Sequence, residues 1–261
     1  MNSPHRCFIS PEGWHGSEAL LSADESHYVQ DVLRLRAGDV LTAFDGQGRL
    51  AEAMVLPGPE ASRRGRREVP VAVRLTGARE MPRPLPALTL LQAIAKPARM
   101  DWVVEKATEL GVGTLVPLIT EHVVGAAHGE ETDSRGERWR RVALSAARQC
   151  GTPWLPDIRP ACSLEEALCA PRAWDVLIIG ALTPDARSFH AALEAYRRGA
   201  PEHAALLIGP EGDFTAAEIQ MALRHGAVPI SFGPLVLRVE TAAVFGLSVL
   251  IHELRLRPRE G

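Results

Sequence analysis

The stretch Ala204-Ala205-Leu206-Leu207-Ile208-Gly209-Pro210-Glu211-Gly212 joins an uninterrupted apolar run to a glycine–proline turn. An apolar run of this length is typical of a strand that is buried on both faces of a sheet. The turn is followed by Thr215-Ala216-Ala217-Glu218, a capping box that predicts the start of a helix. The stretch therefore predicts one strand–turn–helix unit of a parallel α/β sheet.

The same alternation of strand and helix extends over the last two thirds of the chain. Further strands are predicted at 88–94, 114–119, 174–179 and 229–232, and further helices at 100–110, 139–150, 186–198 and 240–254. Such an alternation predicts an α/β fold in which helices cover both faces of a parallel sheet.

The first third of the chain has a β pattern instead. Val40–Phe44 and Arg49–Leu56 flank a turn at 45–48, which is a hairpin signature. With a further strand at 69–75 and a short helix at 26–35, the set is sufficient for a small barrel.

A proline-rich connector separates these two patterns. The alternating prolines of Met81–Pro86 favour an extended, semi-rigid segment. We therefore expect two domains, residues 1–80 and residues 87–261.

Composition excludes several classes of protein. The 261 residues are 46% apolar and 23% charged, which excludes global disorder. The longest uncharged apolar stretch, Ala242–Ile251, is far shorter than the roughly 20 residues of a membrane span. The first six residues lack the apolar core of a secretory signal, so we expect a cytoplasmic protein.

Charge and cysteine spacing narrow the possible partners. The net charge of −3 argues against nonspecific coating of nucleic acid and permits docking on a defined RNA. The four cysteines have no CxxC spacing, which predicts free thiols. The nine histidines form no HExxH motif or other close ligand pair, so we expect no metal site.

Three segments begin with glycine directly after predicted strands: 180–184, 209–212 and 233–238. Ligands of parallel sheets bind beyond the carboxyl ends of the strands. Glycine allows close backbone approach to a ligand, and proline stiffens the turn. The segments predict a pocket lined by main chain, although a single Gly-Pro turn can simply end a strand. No dinucleotide-binding or phosphate-loop motif is present, so these residues alone leave the ligand open.

Several motifs of the chain resemble those of one family. Gly209–Gly212, followed by Gly233-Pro234-Leu235-Val236-Leu237-Arg238-Val239-Glu240-Thr241-Ala242, resembles the signature of the RsmE-type 16S ribosomal RNA uridine N3-methyltransferases of the SPOUT class. Further segments resemble this family: Lys96, Glu105–Val112, Arg138-Trp139, Ala146–Gln149, Arg6 with Phe8, and His27 with Val32-Leu33-Arg34 and Gly38-Asp39. The resemblance spans nearly the whole chain in the same order.

The resemblance implies a fold and an activity. The expected fold is a small PUA-like β-barrel that holds RNA, followed by a SPOUT-type parallel sheet with a C-terminal trefoil knot, working as a homodimer. The expected activity is S-adenosylmethionine (SAM)-dependent N3-methylation of a specific uridine in 16S ribosomal RNA. Two alternatives stay open: a noncatalytic RNA-binding or ribosome-assembly factor on the same fold, and a SPOUT methyltransferase with another RNA target.

The resemblance also implies roles for individual residues. The implied SAM-binding residues are Leu182, Ile208, Gly209, Pro210, Glu211, Gly212, Phe232, Gly233, Leu235, Val236 and Leu237. Arg238 is the candidate for stabilising the uracil anion or holding its phosphate. Glu240 is the candidate for orienting Arg238 or accepting the N3 proton, and as an alternative it suits the positive end of the final helix.

The expected RNA-binding residues are Arg6, Arg34 and Lys96. The arginines at 63–67 are either further phosphate contacts or a solvated loop. Three positions depart from the family pattern, which has glycine where Asp213 stands and arginine where Leu235 and Thr152 stand.

Overall fold

The structure is a computed structural model that describes residues 5–58, 70–123, 130–170, 174–196 and 199–256. The chain divides into two units, Met1–Arg83 with Leu144–Leu155, and Pro84–Ala143 with Pro156–Gly261. The limits expected from the sequence, 1–80 and 87–261, assign the segment Leu144–Leu155 to the second domain, whereas the structure groups it with the first unit.

The first unit contains one five-stranded sheet. Its strands are β1 Arg6–Phe8, β2 Glu18–Leu20, β3 Val40–Phe44, β4 Arg49–Val55 and β5 Ala72–Glu80. Their order is β1-β3-β4-β5-β2, with β1 parallel to β3 and the other pairs antiparallel. The β3–β4 pair is the hairpin that the sequence predicts, and Val40 lies opposite Met54.

The helix of the first unit differs from the one expected at 26–35. α1 spans Ala23–His27 and continues as a π-helical turn, Tyr28–Val32. It begins earlier because the Ser22 side chain accepts a hydrogen bond from the backbone N–H of Glu25 at 3.3 Å, which caps the first turn.

The second unit contains the parallel sheet. Its strands are β6 Ala87–Ala93, β7 Thr114–Ile119, β8 Asp157–Ile158, β9 Cys162–Ser163, β10 Val176–Gly180, β11 His203–Ile208 and β12 Val228–Ile230. Their order is β12-β10-β11-β6-β7-β8, β9 also pairs with β7, and every pair is parallel. The predicted α/β fold with a parallel sheet is confirmed.

The remaining helices follow these strands. They are α2 Pro97–Glu109, α3 Glu130–Cys150, α4 Leu164–Leu168, α5 Phe189–Leu193, α6 Ala216–Arg224 and α7 Val239–Ile251. α6 starts with the predicted capping box between Thr215 and Glu218. α5 is shorter than the helix expected at 186–198, because it starts only after its N-cap Ser188 and passes into a 3-10 turn at Glu194–Tyr196.

Both faces of the parallel sheet are buried. Val176 and Ile178 of β10 pack in one cluster with residues of α2, α5 and α7, whereas Leu177 and Ile179 pack in another with α4 and α6. Successive side chains of a strand point to opposite faces, so a strand covered on both sides must be apolar throughout. Within the described ranges, no helix is both long enough and apolar enough to cross a bilayer.

Candidate cofactor site and active site

One cavity of about 280 Å³ lies beyond the ends of β10, β11 and β12. Its lining comes from the three glycine-led segments and the residues next to them, together with Arg99 of α2 and Val239 and Ala242 of α7. The volume is near the lower end of the roughly 300–1,000 Å³ that is common for small-molecule pockets. The structure therefore brings the three segments singled out by the sequence to one site.

The residues expected to bind SAM lie around this cavity, with one exception. Leu182, Ile208, Gly209, Pro210, Glu211, Phe232, Gly233, Leu235, Val236 and Leu237 all contribute to its lining. Gly212 lies instead against His122, and a Cβ at Gly212 would come within 3.2 Å of the His122 Cβ.

Gly180 allows the ring of Phe232 to lie against the end of β10. A Cβ at position 180 would come within 2.3 Å of Cε2 of Phe232, closer than two carbon atoms can approach. The ring is held from its other sides by Phe189 and Phe245, with centroid distances of 5.7 and 5.9 Å. This aromatic cluster fixes the Phe232 wall of the cavity.

Arg99 lies between two carboxylates, of which Glu211 lines the cavity and Glu240 does not. Its Nη1 donates a hydrogen bond of 2.9 Å to Oε1 of Glu211, and its Nε lies 3.8 Å from Oε2 of Glu240. That Glu240 oxygen is buried and accepts no hydrogen bond within the part of the chain that the structure describes. A buried carboxylate oxygen without a donor is unfavourable, and the positive charge of Arg99, whose Nε lies 3.8 Å away, offsets part of this cost.

Arg238 lies beside Glu240 in sequence but in a different environment. It is the exposed N-cap residue of α7 and lines the cavity, and its carbonyl accepts the N–H of Ala242 at 2.8 Å. Among the described residues, no carboxylate pairs with its guanidinium. The Arg238 side chain is therefore available to an anionic ligand.

His122 supports the turn after β11 from outside the cavity. Its Nδ1 lies 3.0 Å from the carbonyl oxygen of Asp213 and 3.1 Å from that of Gly212. The hydrogen bond to the Asp213 carbonyl raises the pKa of His122, because the imidazolium is the better donor; the Gly212 carbonyl and the carboxylates of Glu121 and Glu218 act in the same direction.

The residues expected to bind RNA have unlike surroundings. Arg34 is exposed with a left-handed φ of +58°, and Lys96 is the exposed N-cap residue of α2. Arg6 is half-buried, and its Nη1 donates a hydrogen bond of 2.6 Å to the Gly151 carbonyl. Burial lowers the pKa of Arg6. The arginines at 63–67 lie outside the described residues.

Arg99 and Asp213 are the main cavity residues that the sequence did not identify as ligand-binding. Arg99 reaches the cavity because β6, which precedes α2, lies next to β11 in the sheet. That strand order has no local sequence signal. Asp213 directly follows the turn motif and could have been found by extending the motif one residue.

Comparison with known proteins identifies the family. The RNA methyltransferase domain family matches residues 81–251, and the RNA methyltransferase PUA domain family matches residues 21–58. The ribosomal RNA small subunit methyltransferase E of Mycobacterium bovis is 30% identical over 90% of this chain and 86% of that protein. The protein of the same name from Synechocystis is 27% identical over 94% of this chain and 76% of that protein.

A solved structure agrees with the sequence matches. A methyltransferase structure from Legionella pneumophila in complex with the cofactor SAM superposes with a TM-score of 0.82 at 31% identity, covering 95% of this chain and 97% of that one. The matches cover both units in one continuous similarity. The chain belongs to the family of the ribosomal RNA small subunit methyltransferases E, RNA methyltransferases that carry a PUA domain.

Proposed function

We propose that this protein transfers the methyl group of SAM to N3 of a specific uridine in 16S ribosomal RNA, and that it does so in the cytoplasm. The observation that carries the proposal is that the segments after β10, β11 and β12 enclose one cavity, which Arg99 and Arg238 also line and next to which Glu240 pairs with Arg99. The activity is that of the family named above, and SAM is the cofactor bound in the Legionella pneumophila structure.

The lining of the cavity fits SAM. Ile208, Phe232 and Leu237 supply apolar walls for an adenine ring, and the glycine-led turns present main-chain groups to its polar edge. Glu211 and Asp213 place carboxylates at a site that would receive a cationic molecule. When bound, SAM supplies an electrophilic methyl group on a positively charged sulfur.

The protein has to make uridine N3 nucleophilic. N3 carries a proton in neutral uridine, so a proton acceptor and a positive charge near the resulting anion are both required. Glu240 is the proposed acceptor: it is not part of the cavity lining, but it lies beside Arg99, which is. Arg238 lines the cavity, and no carboxylate in the described part of the chain pairs with its guanidinium, so it offers the positive charge.

The position of Glu240 is also compatible with a second role. It lies in the first turn of α7, where the unpaired N–H groups of the helix favour negative charge. In this alternative, Glu240 orients its neighbours and another group, or water, takes the proton.

Three further features belong to the proposal. Arg6, Arg34 and Lys96 are the proposed RNA contacts, of which Arg34 and Lys96 are the more exposed. Exposed apolar side chains at the cavity, Leu182, Leu235 and Val236, support a homodimer in which a second copy covers them. The meeting of three loops at one cavity supports a trefoil knot in the second unit, a rare exception to unthreaded chains.

Mapping of 16S ribosomal RNA by mass spectrometry tests the proposed function. A strain without this protein should lack one N3-methyluridine, and the wild-type gene should restore it. Calorimetry should show that the purified protein binds SAM. If the strain without this protein keeps the methyl group, the proposed target is refuted. If the purified protein nevertheless binds SAM, it is a methyltransferase that acts on another RNA. A protein that binds no SAM would be a noncatalytic factor.

A further inference from the structure

Asp213 ends the turn after β11 in a backbone conformation that side chains rarely adopt. Its φ is +59°, in the left-handed region that is unfavourable for residues other than glycine. Aspartate tolerates this region better than most residues because its short side chain can bond locally. The turn is closed by the N–H of Asp213, which donates to the Pro210 carbonyl at 3.0 Å.

The Asp213 carboxylate uses both of its oxygens. Oδ1 accepts the N–H of Phe214 at 2.8 Å, which is a local bond within the turn. Oδ2 accepts the N–H of Leu182 at 3.3 Å, which belongs to the segment after β10. One carboxylate therefore joins two of the three segments that line the cavity, and both Asp213 and Leu182 belong to that lining.

Few hydrogen bonds to described residues hold the segment after β10. Ala181 at its start donates to the Ile230 carbonyl at 3.2 Å, and Arg187 at its end donates to the Pro229 carbonyl at 2.9 Å. Between these two anchors, and counting only partners among the described residues, the segment has one internal turn bond, from Ala186 to Thr183 at 3.1 Å, and the bond from Leu182 to Asp213. The turn that carries Asp213 is held separately, by His122.

We propose that Asp213 is a positioning residue that fixes the loop after β10 against the turn after β11, so that the cavity is formed before SAM arrives. This inference rests on the proposed function, because it assigns the cavity to SAM. A site that is ordered in advance binds more tightly, since the ligand does not have to order the loop.

Three substitutions at position 213 separate the effect of the carboxylate's hydrogen bonds from the effect of the backbone strain. Asp213→Gly removes both hydrogen bonds and relieves the left-handed conformation. Asp213→Ala removes the bonds and keeps the strain. Asp213→Asn retains one acceptor oxygen, so it can keep one of the two bonds. Asp185→Ala is the matched control, because Asp185 is an exposed carboxylate of the same loop that lies outside the cavity lining.

Hydrogen exchange of the ligand-free protein gives the readout that does not depend on activity. In Asp213→Gly and Asp213→Ala, the Leu182 amide should exchange roughly tenfold faster or more, while amides of the central strands stay unchanged. SAM affinity measured by calorimetry should fall roughly tenfold in both variants. Asp213→Asn should lie between these variants and wild type, and Asp185→Ala should match wild type.

Two results would overturn the inference. One is wild-type exchange at Leu182 together with wild-type SAM affinity in Asp213→Gly. The other is an equal loss of affinity in Asp213→Asn and Asp213→Gly with unchanged exchange, which would show that the negative charge acts directly on the ligand. A failure of the proposed function looks different, since the wild-type protein itself would then bind no SAM.

Discussion

Arg238 and Glu240 are two positions apart at the start of α7, but their surroundings give them different chemical properties. The Glu240 side chain is 17% exposed and lies beside Arg99, so its negative charge is balanced by a residue of the protein. Arg238 is exposed at the cavity with no paired carboxylate among the described residues, so its charge is free for a ligand. A substitution of Arg238 should therefore affect the reacting RNA more than the fold or the cofactor.

We expect Arg238→Ala to lower the rate of methyl transfer at least about 100-fold, which is the loss that follows removal of one stabilising donor from a transition state. SAM affinity should stay within severalfold of wild type, because apolar walls and main-chain turns form most of the cavity. Single-turnover transfer at saturating SAM and calorimetry would measure the two quantities separately.

Arg224→Ala is the matched control for Arg238→Ala. Arg224 is also an exposed arginine of the second unit, but it lies in the last turn of α6 and outside the cavity lining. It should transfer methyl groups at the wild-type rate. An unchanged single-turnover rate in Arg238→Ala would remove Arg238 from the mechanism.

The sequence could point to Arg238 and Glu240 because both belong to a continuous motif. It could not point to Arg99, which is more than a hundred positions from Glu211 and is brought to it by the pairing of β6 with β11. The order of parallel strands depends on long-range packing, so contacts across it leave no periodic pattern in either segment.

At the scale of single elements, the local sequence pattern predicted the position of several helices and strands that are long or have a capping motif. β7 spans Thr114–Ile119 and β3 spans Val40–Phe44, both as predicted, and α6 starts at its capping box. The short strands β8 and β2 were not predicted, because they show no alternation and exist only through pairing with a neighbour. The three-residue β12 was predicted, at 229–232.

Gly180→Ala should disturb the cavity through the Phe232 ring. The new Cβ would overlap Cε2 of Phe232, and the ring cannot retreat because Phe189 and Phe245 pack against it. We expect a loss of about 1–3 kcal/mol in the free energy of unfolding, as is usual for overpacking. SAM affinity should also fall, because Phe232 forms one wall of the site.

Gly113→Ala provides the comparison for Gly180→Ala. A Cβ at Gly113 would come no closer than 3.5 Å to the Leu88 carbonyl oxygen, which is ordinary contact. Denaturant unfolding and calorimetry should show little change in this variant. If Gly180→Ala unfolded and bound SAM like Gly113→Ala, the aromatic cluster would not be rigid.

At the scale of the whole molecule, the chain does not divide once into two consecutive parts. The sequence places one boundary at the prolines of 81–86, but the segment Leu144–Leu155 belongs to the first unit. There Ala147 packs with Phe44 and Leu50. The sequence could not reveal that the chain returns to the first unit after residue 143, because α3 continues through this position without a break in its helical pattern.

The returning segment brings a charged side chain into the interior of the first unit. Arg148 forms an ion pair with Glu25, and its guanidinium lies 4.3 Å from the centre of the Tyr28 ring. The Arg148 and Glu25 side chains are 16% and 3% exposed. The other Glu25 oxygen, Oε2, accepts the backbone N–H of Phe8 at 3.0 Å. Glu25 is thus a buried carboxylate whose charge is balanced by the returning helix.

Arg148→Met should destabilise the first unit by about 3 kcal/mol, because it leaves the Glu25 charge buried without its partner. The double variant Glu25→Gln with Arg148→Met should recover a large part of this loss, since a neutral amide can still accept the Phe8 N–H. Arg141→Met, which changes an exposed arginine of the same helix, should unfold like wild type. Urea unfolding of the four proteins measures these differences directly. The double variant could instead prove no more stable than Arg148→Met alone. In that case the packing of Arg148 on Tyr28, rather than the balance of charge with Glu25, would be what stabilises the returning segment in the first unit.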